Sequence, residues 1–166
     1  MPAPFLLTLT STNRIMRLED ITMQETLVSQ LHQTLPDILK NQPVQLAYLY
    51  GSAVSGRTTP FSDVDIALMT TEPLTPLARL RLIQHVQMRL YDDCDLDNVD
   101  VRIINDAPLV LQGRVITDGR LVYARDEQAR IHFETTTRMS YFDYLPIHRQ
   151  LQNAFFDTLR TRGLYG

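Results

Sequence analysis

Cysteine is nearly absent: Cys94 is the single one in 166 residues. One thiol can close no internal disulfide and build no thiolate zinc cage, and a free thiol suits a reducing compartment, so the cytoplasm is the expected location. Long apolar runs are missing as well. The N-terminal Phe5-Leu6-Leu7 has no basic stretch before it, and nothing approaches the roughly 20 apolar residues of a membrane span. Neither a signal peptide, an anchor nor a membrane partner is predicted. There is no excess of basic charge: 16 Lys+Arg against 19 Asp+Glu leave −3 with His neutral, which argues against a protein that must neutralise many phosphates to bind nucleic acid. With 6 Gly and 9 Pro, collagen-like, low-complexity and repeat classes are excluded. What remains is 44% hydrophobic and 21% charged, ordinary for one globular domain with a real core.

The pattern along the chain divides into an arm over 1–20, a core over 21–125, and a helical segment over 126–166 belonging to the same domain. The arm carries Pro2, Pro4 and a Thr/Ser/Asn cluster without period. Thr22 and Glu25 have the spacing of a capping box, and Leu27, Val28, Leu31 and Leu35 follow at helical intervals, predicting a helix to about Lys40 with Pro36 as a point of kinking. Val44–Tyr50, Val64–Met69, Val99–Ile104 and Leu121–Tyr123 read as strands. Between them, Thr75-Pro76 opens a helix that ends at the acidic cluster Asp92–Asp97, and Pro108–Thr117 reads as another helix, stopped by Gly119. The order helix, strand, strand, helix, strand, helix, strand makes the fold class α/β (α+β). From Asp126 the pattern is helical, with Pro146 a candidate break, and it holds seven of the 13 aromatics. That many aromatics predicts packing on the sheet, on a partner, or on both, with core the commoner fate.

Chemistry concentrates at the strand ends. Gly51-Ser52 closes the first strand, and ten residues later Asp63-Val64-Asp65 opens the second. At a side-chain period of two, Asp63 and Asp65 leave the same face of their strand. Adjacent carboxylates repel and raise each other's pKa, so the pair calls for a cation, and an oxygen-only donor set selects a hard divalent ion such as Mg²⁺. If the third strand pairs beside the second, Asp100 joins them. Three acids suffice for two metals acting on an in-line displacement at phosphorus. Ser52 offers a phosphate its hydroxyl, a backbone N–H and the start of a short helix, and Gly51 lets that phosphate come close.

Gly51-Ser52, ten residues, Asp63-x-Asp65 and a later strand aspartate resemble the signature of the nucleotidyltransferase superfamily with the DNA polymerase β fold. The strings LYGSAVSGRTTPFSDVDIAL, VDVRIIN and LVYARDEQARIHFETTTRMSYFDYLP are similar, over roughly residues 20–146, to the minimal nucleotidyltransferase (MNT) antitoxins paired with HEPN toxins. The resemblance implies a small mixed sheet flanked by helices, and Mg²⁺-dependent transfer of AMP from ATP to a tyrosine of a cognate HEPN ribonuclease toxin, in a hetero-oligomer without direct nucleic-acid binding. It implies Asp63, Asp65 and Asp100 as catalytic metal ligands, Asp100 helping to activate the acceptor hydroxyl, and Gly51, Ser52, Arg57 and Ser62 around the nucleotide. One departure is that Ser55 stands where the family often has Arg, making Arg57 the nearest candidate for that phosphate contact. The signature is silent on the acceptor: neutralisation by occlusion alone, or transfer to a small molecule such as an aminoglycoside, would use the same motif.

Other constellations read as ordinary structure. Asp92, Asp93, Asp95 and Asp97 lack the glycine and terminal glutamate of an EF-hand, and a solvated helix-to-strand connection is expected. Arg79/His85 and Arg125/His132 imitate a ribonuclease spacing by chance. The four histidines lie too far apart in sequence for a zinc site. Cys94, placed by this reading in an acidic loop, is no nucleophile.

Overall fold

A computed structural model describes residues 18–54 and 63–162. Helix α1 (Leu18–Leu39) leads into β1 (Val44–Tyr50), a single 3₁₀ turn at Gly51–Ala53, β2 (Val64–Thr70), α2 (Pro76–Cys94), β3 (Val99–Ile103), α3 (Leu109–Asp118), β4 (Arg120–Ala124) and α4 (Glu127–Arg162). The four strands form one mixed sheet in the order β3-β2-β1-β4. β1 runs antiparallel to both neighbours, while β2 and β3 are parallel, joined across the sheet by α2.

Strand period divides the core in two. Ala47, Leu49, Ile66, Leu68, Val99 and Val101 face Leu31, Leu35 and Leu39 of α1 and Leu82, Val86 and Leu90 of α2. On the other face Leu46, Tyr48, Ala67 and Ile104 meet Val115 and Ile116 of α3, with Phe133 of α4 packed against them. Helix α4 is tied to this second face by polar contacts. The Tyr48 hydroxyl donates to Glu134 Oε1 at 2.9 Å, and Glu134 Oε2 in turn accepts from Arg130 Nη1 at 2.9 Å. Burial, then the Glu134 charge, push the Tyr48 hydroxyl far above its ordinary pKa, so it stays a donor.

Several expectations are corrected. Helix α1 begins at Leu18, so the boundary placed at residue 21 falls inside a helix, and Thr22 is an interior residue: its carbonyl accepts from Thr26 Oγ1 at 2.8 Å, the back-bonding of mid-helix threonines, not a cap. Helix α1 runs through Pro36 to Leu39, close to the expected end, while α4 continues past Pro146, the candidate break, although a proline in a helix interior forfeits one hydrogen bond. Cys94 is no loop residue: it closes α2, is buried, and donates weakly to Thr34 Oγ1 at 3.4 Å. Asp92 and Asp93 belong to that helix too, and Arg89 holds Asp93 at 2.7 Å. Asp95 takes the left-handed cap position at φ 56°.

The C-terminal aromatics divide between core and surface. Tyr141 is buried against Gly113 of α3, and Phe133 is half-buried, but Phe142, Tyr144, Phe155 and Phe156 are exposed together with Ile147 and Leu151. Length is the reason. At about 1.5 Å per residue, the 36 residues of α4 extend about 54 Å and the 10 of α3 only about 15 Å, so the second half of α4 projects beyond the helix it packs on. Tyr165 lies outside the described residues, as do the arm over 1–17 and the segment 55–62 that holds Ser55, Arg57 and Ser62.

Candidate active site

The strand pairings set three site residues in a row. Tyr50 of β1 is opposite Asp65 of β2, and Asp65 is in register with Asp100 of β3. Paired residues of neighbouring strands project to the same face of a sheet, so the two carboxylates stand side by side on the α3/α4 face, at the strand end beside the Gly51 turn. One step inward, Tyr48, Ala67 and Arg102 form the next row. Asp100 thus shares a face with Asp65, the outcome expected if the third strand paired beside the second, and Val99 and Val101 go to the opposite, buried face.

The turn after β1 is fitted to Asp65. Gly51 adopts φ +76°, and a Cβ built on it would lie 2.1 Å from Asp65 Oδ2 and 2.9 Å from its Cγ. Only glycine allows both that backbone and that contact. Ser52 sits within the 3₁₀ turn. Three residues generate little helix dipole, so what Ser52 can offer an anion is a hydroxyl and the local N–H groups.

Electrostatically the row is strained. Partial burial raises the pKa of Asp65 first, the Asp100 charge raises it further, Arg102 pulls it down, and Asp63 pushes it up again. Asp63 precedes β2 and is exposed. Among the described residues no three acidic, histidine or cysteine side chains are grouped closely enough to hold a metal ion. The fold therefore supplies two carboxylates in register with Asp63 flanking, a looser arrangement than three converging acids. The donor set still fits a hard divalent cation: it is all oxygen, and the like-charge conflict is of the kind a cation relieves.

Two neighbours escaped the sequence reading. Arg102 places both Nε (2.9 Å) and Nη2 (2.8 Å) on the single oxygen Oδ2 of Asp100. Its spacing of two from Asp100 in a strand was the available signal. Tyr50 keeps its hydroxyl buried, and among the described residues that oxygen has no hydrogen-bond partner. Desolvation raises its pKa, with Arg102 opposing. Nothing in the sequence singles Tyr50 out except its place before Gly51.

The remaining candidates resolve into structure. Arg79 pairs with Asp106, His85 contacts the Ile38 carbonyl at 3.2 Å, and Arg125 donates to the carbonyls of Leu39 and Gln42 at 3.1 and 2.6 Å, joining the end of α1 to the start of α4. Neither Arg/His spacing assembles a site. His148 stacks on Tyr144, ring centroids 5.6 Å apart. No described helix is long and apolar enough to cross a membrane.

Residues 33–128 match the family described as polymerase beta, nucleotidyltransferase, a span from α1 through β4. The protein adenylyltransferase MntA of Shewanella oneidensis is 33% identical over 107 residues, covering 64% of this chain and 72% of the relative. Among solved structures, a chain of a toxin–antitoxin complex with AMP-PNP superposes with TM-score 0.58 at 29% identity, over 78% of this chain and 98% of its own. A chain from the tri-AMPylated Shewanella oneidensis HEPN toxin in complex with MNT antitoxin superposes at 0.53 and 28% identity, over 83% and 99%.

Proposed function

The chain belongs to the polymerase beta nucleotidyltransferase family, and we propose that it is an antitoxin that transfers AMP from ATP to a tyrosine of a cognate HEPN ribonuclease toxin, with Mg²⁺ as cofactor. The observation that carries this reading is the in-register pair Asp65 and Asp100 beside the Gly51–Ser52 turn. The adenylyltransferase named above supplies the kind of acceptor, a protein.

In this reading Asp63 and Asp65 hold the metal, with Asp100 as a further ligand. Bound there, the ion supplies a lowered pKa for the acceptor hydroxyl and neutralises charge developing at phosphorus. The chain's own residues do the rest. Ser52 and the N–H groups of its turn take the triphosphate and Gly51 permits its close approach; Arg57 and Ser62, outside the described residues, are the further contacts the family resemblance assigns. Asp100, at the exposed edge strand, draws the proton from the tyrosine hydroxyl. That oxygen then bonds to the α-phosphorus as the bond to the β-phosphate bridging oxygen breaks, and pyrophosphate leaves.

A protein acceptor is also supported by α4. Met139, Phe142, Ile147, Leu151, Phe155 and Phe156 are each more than half exposed. Of the exposed residues, Tyr144, Ile147, Leu151 and Phe155 recur at spacings of three and four and so form one apolar stripe along the helix. A small-molecule acceptor would leave this surface unexplained. The same face supports a second reading, in which binding alone occludes the toxin.

Incubation with Mg²⁺, ATP and the protein of the neighbouring reading frame should raise that protein's intact mass by one or more AMP units, at a tyrosine. An unchanged mass with folded enzyme present would remove the transfer reading. Protection of cells by a D63N/D65N variant that still forms the complex would establish occlusion instead.

A further inference from the structure

We propose that Arg102 is a resident counter-ion that occupies Asp100 until a divalent metal arrives, and that it is then displaced toward the phosphates of the nucleotide. The inference rests on the metal-site reading above. Three observations carry it. Arg102 directs two donors onto one carboxylate oxygen, Oδ2 of Asp100. The carboxylate it holds is in register with Asp65, so Arg102 is bound to the row where the metal would be held. And nothing else requires it there: on an edge strand, with its side chain 55% exposed, it covers no apolar core.

Two like-charged carboxylates in one row need a positive charge in every state of the protein. Before metal arrives, the structure provides it from its own chain. A divalent ion ligated by Asp100 and a guanidinium hydrogen-bonded to the same oxygen compete for its lone pairs, and they repel each other. Arg102 must therefore leave Asp100 as the metal enters. An arginine on a short strand edge can swing without disturbing the backbone, and its planar fork matches phosphate oxygens. The consequence is a metal site of deliberately modest affinity without nucleotide, which tightens when triphosphate and metal arrive together and the displaced cation gains an anionic partner.

The test titrates Mn²⁺ into the full chain, with free ion followed by electron paramagnetic resonance, for wild type, R102A, D65N, D100N and R102A/D100N. R102A should bind Mn²⁺ about three- to tenfold more tightly than wild type without nucleotide, and AMP-PNP with Mn²⁺ about three- to tenfold more weakly, the range of one charge-assisted pair. In the D100N background R102A should change Mn²⁺ affinity little, because the group it competes for has gone. Equal or weaker Mn²⁺ binding by R102A, while D65N abolishes binding, overturns this inference and leaves the metal site standing. Undiminished binding by D65N overturns the site reading and this inference with it. Because Arg102 is exposed, losing its pair with Asp100 should lower the melting temperature by no more than a few degrees, and a cooperative melt of R102A separates these outcomes from misfolding.

Discussion

Gly51→Ala tests whether the turn after β1 exists to seat Asp65. The added methyl would lie 2.1 Å from Asp65 Oδ2, where ordinary contact begins at 3.4 Å, so the carboxylate must retreat by more than 1 Å. A misplacement of about 1 Å at a reacting centre costs on the order of 100-fold in rate. Alanine at φ +76° adds roughly 1–2 kcal/mol of left-handed strain, a fall of about 2–8 °C in melting temperature for a domain of this size. The control is Gly113→Ala, whose Cβ would lie 2.2 Å from Tyr141 Cγ, between α3 and α4 and away from the carboxylate row. Overpacking there costs about 1–3 kcal/mol, so its thermal loss should match that of Gly51→Ala while AMP transfer per folded molecule is retained. Melting curves and initial rates of transfer to the partner protein, measured on both variants, separate the effects. If Gly51→Ala transfers AMP within about twofold of wild type, the turn does not position Asp65 and the reasoning fails.

Asp65→Asn should abolish transfer yet stabilise the fold. Because the folded-state pKa of Asp65 is raised, its ionised form costs stability above that pKa, and the cost vanishes as pH falls below the ordinary carboxylate value of about 4. The variant should melt above wild type at about pH 7.5, with the advantage shrinking toward about pH 4; a constant difference would mean a cause other than charge. Asp95→Gly relieves a left-handed residue at the end of α2 and should raise stability by about 1 kcal/mol, or about 2–4 °C, measured by denaturant or thermal unfolding. Leu151→Asp with Phe155→Asp, both exposed on α4, should shift stability by less than about 0.5 kcal/mol and abolish co-elution with the partner. Retained co-elution would place the partner elsewhere.

Most of the fold was legible because its elements carry local signals. Thr75 caps α2, its hydroxyl accepting from the Ala78 N–H at 3.3 Å, and Pro76 takes the first turn. The four strands are short β-branched and aromatic runs. Parallel pairing of β2 with β3 was not local, yet it decided the site, because register brings Asp65 and Asp100 together from 35 positions apart. A spacing rule sees Asp63-x-Asp65 and cannot see that partnership. Tyr50 was missed for the same reason, its meaning coming from a row across strands, whereas Arg102 stands two positions from Asp100 in one strand and carried a local signal. Helix α4 differs: its aromatics were open to sheet, partner or both, and composition cannot divide them because it does not report that α3 stops at Asp118 after 10 residues.

The row Tyr50, Asp65, Asp100 concentrates features that a sheet designed only for stability would avoid. It holds a buried hydroxyl that has no partner among the described residues, two carboxylates in register, and a glycine in the left-handed region pressed against one of them. The row beneath shows the contrast: Tyr48 has the same residue type on the same strand face, and its hydroxyl is satisfied by Glu134. Tyr48 thus has a partner supplied by α4, whereas among the described residues no side chain reaches the Tyr50 hydroxyl. Unmet polar groups cost about 1–3 kcal/mol each when buried, and local conflicts of this kind mark functional sites more often than errors of folding. Tyr50→Phe is the sharpest probe of that view. Removing the orphan hydroxyl should leave stability unchanged or raise it by about 1 kcal/mol. If the hydroxyl faces bound nucleotide or the incoming acceptor, the same change should weaken AMP-PNP binding or slow transfer. A variant less stable than wild type would show that the hydroxyl is satisfied in solution and that the row is less frustrated than its geometry indicates.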